Sequence, residues 1–158
     1  MPNYCHNVIT IRGDETVMKT FYDAITIKHR KKKRFTFRAT VPLTKGQDPH
    51  IVWGTKWDIG DYDTLAQTAT CYQIRCDTAW APPNNWAFLT ARKYSCDIKI
   101  AYVESGCGVY GVYHVKCHHV TKDDTYNIAD DDIQDDEARP DSALEKHMTK
   151  YKLVYIGG

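Results

Sequence analysis

Asn7-Val8-Ile9-Thr10-Ile11-Arg12 alternates polar and apolar side chains up to Gly13, the period-two pattern of a half-buried strand. Asp14 can cap a helix, and Val17, Met18, Phe21, Tyr22 and Ile25 then recur at helical spacing, turning one apolar face toward a sheet. Arg34-Phe35-Thr36-Phe37-Arg38-Ala39 alternates again before Pro42 and predicts a strand or an extended entry to a long connection. Residues from about 42 to 63 read as an insertion that carries a tryptophan tract.

A second unit repeats the order of strand, helix and strand. Residues 69–76 alternate, Pro82-Pro83 forces an extended backbone, and Asn84 or Asn85 caps a helix with Trp86, Phe88, Leu89 and Tyr94 on its apolar face. Residues 97–104 alternate, Gly106 and Gly108 mark a turn, and 109–116 pairs back as a hairpin strand. Asp141 or Ser142 starts a last helix reaching Lys150, with 152–156 as a terminal strand. Two strand-helix-strand halves around one sheet predict an α+β sandwich of the ferredoxin-like kind, mainly antiparallel, with two principal helices. Residues 1–117 would form this domain, and 118–158 an acidic loop with a C-terminal helix and strand packed on it.

A length of 158 residues suits one core, and 42% apolar with 26% charged residues excludes global disorder and fibrous architecture. No run approaches the roughly 18 apolar residues of a membrane span, and Met1-Pro2-Asn3-Tyr4-Cys5-His6 lacks the regions of a signal peptide, so the expected place is the cytoplasm, away from membranes. The six cysteines include no Cys-x-x-Cys and read as free thiols. A zinc site could recruit Cys117, His118 and His119 with Cys5 and His6, but neighbours on a strand point to opposite faces, so neither a metal nor another cofactor is expected.

The net charge of +1 hides segregation: Lys28, Arg30, Lys31, Lys32, Lys33 and Arg34 put six fixed positive charges into seven residues, while Asp123, Asp124, Asp130, Asp131, Asp132, Asp135, Asp136 and Glu137 crowd one late stretch. The basic run suits a solvated loop, a nucleic-acid contact through counterion release, or a protein partner. The acidic stretch reads as a mobile loop with little to bury. Gly108 to Val115 faintly echoes the aromatic strand of RNA-recognition modules, but it follows the second helix instead of preceding it and lacks a leading Lys or Arg. Gly111 instead suits a close approach across the sheet.

Trp53-Gly54-Thr55-Lys56-Trp57-Asp58 and Asp77-Thr78-Ala79-Trp80-Ala81-Pro82-Pro83 set three of the four tryptophans beside polar residues. An indole brings a large apolar face and an N–H that wants a partner, so the tracts suggest one polar-aromatic surface formed by Trp53, Thr55, Lys56, Trp57, Asp58, Asp77, Thr78, Trp80 and Glu104. Packing of loops on the sheet is the alternative. Lys56, Asp58, Asp77 and Glu104 could form structural ion pairs, bind a ligand or serve acid-base chemistry, but no nucleophile, base and orienter set is evident, nor a phosphate loop, a Gly-x-Ser-x-Gly or a His-Glu-x-x-His.

Met1-Pro2-Asn3-Tyr4-Cys5-His6-Asn7, the two tryptophan tracts, and Tyr102-Val103-Glu104-Ser105-Gly106 with Gly108 and Gly111 occur in an order that resembles the YubB ferredoxin-like domain family over roughly residues 1 to 117. Tyr4 and Ala81 stand where that pattern would have Trp and Ser. The resemblance implies a ferredoxin-like fold and a phage or plasmid context, and transfers no chemistry. The expectation is a phage accessory protein, more binder than enzyme, that holds a host protein or a small ligand such as a nucleotide on the tryptophan surface. Nucleic-acid binding through residues 28–34 and a small Lys/carboxylate enzyme are the rival readings.

Overall fold

Tyr4–Arg12 (β1) lies at the middle of the sheet because both of its edges find long antiparallel partners, Cys71–Ala79 (β5) on one side and Asp97–Glu104 (β6) on the other. The computed structural model describes residues 3–25, 27–29, 32–128 and 143–153, with the side chains of 27–29 and 32–33 excepted. Glu15–Ile25 (α1) follows β1, then a separate ribbon of Ile27–His29 (β2) and Lys32–Arg34 (β3), and the short helices Phe37–Thr40 (α2) and Pro49–Trp53 (α3). Tyr62–Gln67 (β4) precedes β5, Asn84–Tyr94 (α4) joins β5 to β6, and Val109–Lys116 (β7), His119–Asn127 (β8) and Ala143–Tyr151 (α5) complete the described chain. The main sheet has the order β4-β5-β1-β6-β7-β8, antiparallel throughout. Within it β1-α1-β4-β5-α4-β6 is the ferredoxin-like βαββαβ unit, extended at one edge by β7 and β8.

Alternation along the strands supplies both layers. Ile9, Ile11, Ile74, Ile98 and Ile100 face α1 and α4, where they meet Met18, Phe21, Trp86, Ala87 and Ala91. Val8, Ala101, Val103, Tyr110 and Val112 face the opposite way and are covered by Leu144, Met148, Tyr151 and Leu153 from α5 and its end. His147 is buried in that second layer between the rings of Tyr110 and Tyr151, and its Nε2 donates to the Tyr102 carbonyl at 3.1 Å. Burial lowers its pKa and favours the neutral imidazole. Among the described residues no helix is long and apolar enough to cross a membrane.

Several expected elements fall elsewhere, each for a local reason. The strand expected over Arg34 to Ala39 stops at Arg34, the end of β3, and Thr36 is extended: Thr36 Oγ1 accepts from Ala39 N at 3.3 Å, and the Asp58 carboxylate accepts from Phe37 N and Arg38 N at 2.6 and 3.2 Å, which caps α2. The second strand of the first βαβ half is therefore β4, whose pairing with β5 is broken by a bulge between Thr64 and Ala66. The insertion contains α3, with Asp48 as its cap (Oδ1 accepts from His50 N at 2.9 Å), Pro49 in the first turn and Gly54 at φ 86° ending it. Neither Asn84 nor Asn85 caps α4. Pro83 holds that position without a side-chain bond, Ala87, Thr90 and Ala91 join Trp86 on the buried face, and Leu89 is exposed.

The acidic stretch is not a loop at its start. Asp123 and Asp124 lie on β8, which pairs with β7 while its side chains stay largely exposed, whereas Asp130, Asp131, Asp132, Asp135, Asp136 and Glu137 lie outside the described residues. Of the terminal strand expected at 152–156, Lys152 and Leu153 are not in a strand: Lys152 turns left-handed at φ 56° and Leu153 N bonds back to the Met148 carbonyl at 3.0 Å. Residues 154–156 lie outside the described residues.

Candidate functional site

Two loops meet at the end of β5. Thr55, fully buried just beyond α3, donates from Oγ1 to the Ala79 carbonyl at 3.1 Å and accepts from Ala79 N at 3.0 Å, so one hydroxyl docks the first tryptophan tract on the second. Trp80 then adopts φ 68°, with its N–H bonded to the Asn3 carbonyl at 2.9 Å. A side chain in that left-handed region costs roughly 1–2 kcal/mol. Buried Thr78 steadies the turn by donating to the Ala81 carbonyl at 2.7 Å while accepting from Asn7 Nδ2 at 2.9 Å.

The result is an exposed aromatic pair around one cation. Lys56 Nζ lies 4.4 Å from the Trp80 ring centroid and 6.0 Å from that of Trp57, and the two indole residues are 43% and 37% exposed. Ile51 on α3 and Leu89 on α4 are also exposed, and the Asn85 side chain donates to the Ile51 carbonyl at 2.8 Å, tying the two helices together.

The structure brings together Lys56, Trp57 and Trp80 of the expected set and sends the others inward or away. Trp53 is sealed in the core, its Nε1 donating to the Val41 carbonyl at 2.9 Å. Thr55 and Thr78 hold the loops, and Asp58 caps α2. Glu104 is fully buried, with its carboxylate accepting from Gly106 N at 2.9 Å and Cys107 N at 2.5 Å, so it closes the β6–β7 hairpin. Asp77 points to the α5 side of the sheet and meets His6. Of the basic run, Lys28, Lys32, Lys33 and Arg34 sit on the β2–β3 ribbon, and Arg30 and Lys31 lie outside the described residues. Arg34 donates to the Gly60 carbonyl at 2.5 Å and lies 3.8 Å from Asp61.

All six cysteines are free, and burial pushes the Cys96 thiol up to about 12 and that of Cys5 well above its ordinary value, so neither carries thiolate near neutrality. Among the described residues no group of three His, Cys, Asp or Glu is placed to hold a metal ion. Cys117 sits at a turn, at φ 53°, beside His118 and His119, whose rings lie 5.1 Å apart and tilted by 56°.

One polar cleft escaped the sequence reading. His6, Asp63, Arg75 and Asp77 line about 330 Å³ on the α5 side of the sheet, next to the β4 edge. His6 Nδ1 bonds to Asp77 Oδ1 at 2.7 Å, and Arg75 pairs with Asp63 at 2.8 Å. Only register could have found this pair, since His6 and Asp77 are cross-strand neighbours 71 residues apart. The Asp77 hydrogen bond raises His6 above the ordinary imidazole value of 6.5, against the effect of burial. The pair's stabilisation is therefore complete below about 6.5 and is lost as pH rises through the folded-state value. Denaturant unfolding of wild type and His6→Gln from pH 5 to 9 should give a gap that is largest at the acid end and closes on the alkaline side. The wild-type minus variant difference removes the opposite titration of His147, and a gap that widened with pH would refute the pairing.

This is a ferredoxin-like domain with an aromatic outer surface, and it belongs to the family described as the ferredoxin-like domain in Api92-like protein, whose model matches residues 52–146. The match runs from α3 into α5 and so includes β8. Among solved structures the chain resembles the crystal structure of a protein api92 from Yersinia pseudotuberculosis, with a TM-score of 0.61 and 7% identity over 80% of this chain and 98% of that one. At that identity the likeness speaks for the fold. No curated protein matches.

Proposed function

We propose that the chain is a non-catalytic recognition module, an accessory protein of phage or plasmid type, that docks a host protein through Lys56, Trp57 and Trp80. The observation that carries this reading is Trp80: its backbone is held left-handed by the Asn3 carbonyl, and the strain leaves a large ring 43% exposed against a lysine ammonium. Strain of that kind persists where surrounding structure enforces it, and it clusters at binding sites. Tryptophans are common energetic centres of interfaces. With both indole residues more than a third exposed, the surface suits a protein better than a small molecule enclosed on most sides.

Trp57→Ala and Trp80→Ala should each weaken capture of a host protein at least about tenfold, the size of an interface centre worth more than roughly 1.4 kcal/mol. The measurement is pull-down from host lysate followed by titration of the purified captured protein against wild type and both variants. Equal affinity for all three would end the proposal, and tryptophan quenching by a nucleotide panel without protein capture would replace the protein by a base-bearing ligand.

A further inference from the structure

We infer that the outer edge of β8 joins two copies of this chain into a symmetric dimer with one continuous sheet. β8 ends the main sheet, and among the described residues nothing pairs with its outer edge. The backbone bond from Ile128 N to the Gly108 carbonyl, at 2.6 Å, sets the phase of the ladder. Peptide groups along a strand point alternately to its two sides, so those of Lys122, Asp124 and Tyr126 face β7 and those of Asp123, Thr125 and Asn127 face outward. The side chains of β8 are exposed save for half-buried Asp124, so no described element overhangs the strand. The two edges of the sheet differ in how they are guarded. A bulge between Thr64 and Ala66 interrupts β4, whereas the irregularity of β8 falls before Lys122 and leaves residues 122–127 in register and without proline.

The residues of β8 select a second copy as the partner, and they select its register. A two-fold axis through Thr125 sets Thr125 against its own copy, Tyr126 against Asp124 and Asn127 against Asp123 of the other chain. The outward peptide groups then meet one another, and no two carboxylates stand directly opposite. The Tyr126 hydroxyl donates to Asp124 of its own strand at 3.3 Å, so the dimer exchanges a bond within the strand for the same bond between strands. Each Asp124 keeps Lys122 of its own strand 3.1 Å away as a counter-charge. Other registers fail. An axis through Asp123 or Asp124 sets that carboxylate against its copy, which destabilises a ladder, and an axis through Tyr126 leaves too short an overlap.

The test is sedimentation velocity of the full chain from about 1 μM to 1 mM, the span in which an interface as small as one strand edge dissociates. Wild type should show a monomer–dimer equilibrium. Tyr126→Asp places a carboxylate opposite Asp124 of the other copy and, because the axis repeats the contact, should raise the dissociation constant about tenfold. Tyr126→Lys places an ammonium there and should leave that constant at or below the wild-type value. Both variants lose the stacking of Tyr126 on Tyr110, so its loss cancels between them. Amide hydrogen exchange of wild type reads the edge itself: the amides of Asp123, Thr125 and Asn127 should gain protection as concentration rises, while those of Lys122, Asp124 and Tyr126 stay protected throughout. Capture of a host protein through Trp57 and Trp80 should be equal in all three proteins, which separates this edge from the docking surface. A monomer across the whole range, a dimer weakened equally by both substitutions, or protection at Asp123, Thr125 and Asn127 that ignores concentration would each overturn the inference.

Discussion

Trp86→Ala should lower the free energy of unfolding by about 4 kcal/mol, the middle of the range for truncating a buried tryptophan. Trp86 is fully buried on α4, with its ring 4.8 Å from that of Phe37 and 5.7 Å from that of Phe35, and its Nε1 donates to Thr40 Oγ1 at 2.8 Å. Phe35 and Phe37 also touch Tyr62, Tyr72 and Trp53, so this one indole joins the segment between α1 and β4 to the helical layer. Removing it opens a cavity among rings held from several elements, which limits collapse around the gap. Urea unfolding at pH 7 measures the loss. Trp86→Phe keeps most of the buried area and gives up the hydrogen bond to Thr40, so it should cost only about 1–2 kcal/mol. A loss below about 1 kcal/mol for Trp86→Ala would mean that this aromatic cluster does not hold the insertion in place.

The same cluster explains which parts of the fold were legible in the sequence. β1, α1, β6 and β7 carry their own periodicity, because the strand residues alternate between two layers and α1 turns one face inward, which demands apolar side chains at fixed intervals, whereas α4 buries Ala87, Thr90 and Ala91, whose small side chains mark its inner face only weakly. Phe35-Thr36-Phe37 has strand periodicity yet straddles the entry to a helix, since the deciding cap, Asp58, arrives 20 or more residues later in the chain. The signal for α3 was present locally in Asp48, Pro49 and Gly54, a cap, a first-turn proline and a left-handed stop. β8 is an edge strand with exposed side chains, held by backbone bonds to β7, and such a strand can be as acidic as a loop.

Of the candidate site, composition pointed to the right neighbourhood and could not sort its members. Trp53 and Trp57 are four residues apart in one tract, yet the first closes α3 into the core while the second lies past the Gly54 reversal and faces solvent. Polar residues beside a tryptophan have two uses that look alike in sequence. Thr55, Asp58, Thr78 and Glu104 spend their hydrogen bonds on backbone groups of the loops, and that work is what leaves Trp57, Lys56 and Trp80 presented outward.

Gly111→Val should cost about 3 kcal/mol and free β8 from the sheet, the largest effect expected from a substitution that adds atoms. Gly111 on β7 pairs with Tyr102 on one side and Thr125 on the other. A Cβ at 111 would overlap the Asp124 carbonyl oxygen of β8 and come within 2.7 Å of the Tyr102 hydroxyl, which is bonded to Thr125 Oγ1 at 2.7 Å. The tyrosine ring occupies the space a side chain would need, and the obstructing oxygen belongs to backbone, which cannot swing aside as a flexible side chain can. Relief therefore comes from separating β8 from β7 and breaking the Tyr102–Thr125 bond. β8 is an edge strand, so the loss should appear first as local opening. Amide hydrogen exchange should show protection falling along residues 119–127 and their β7 partners while β1, β5 and β6 remain slow, with the denaturation midpoint lowered in parallel. Unchanged exchange in β8 would contradict the close packing of Tyr102, Gly111 and Asp124 on which the extended edge of this sheet depends.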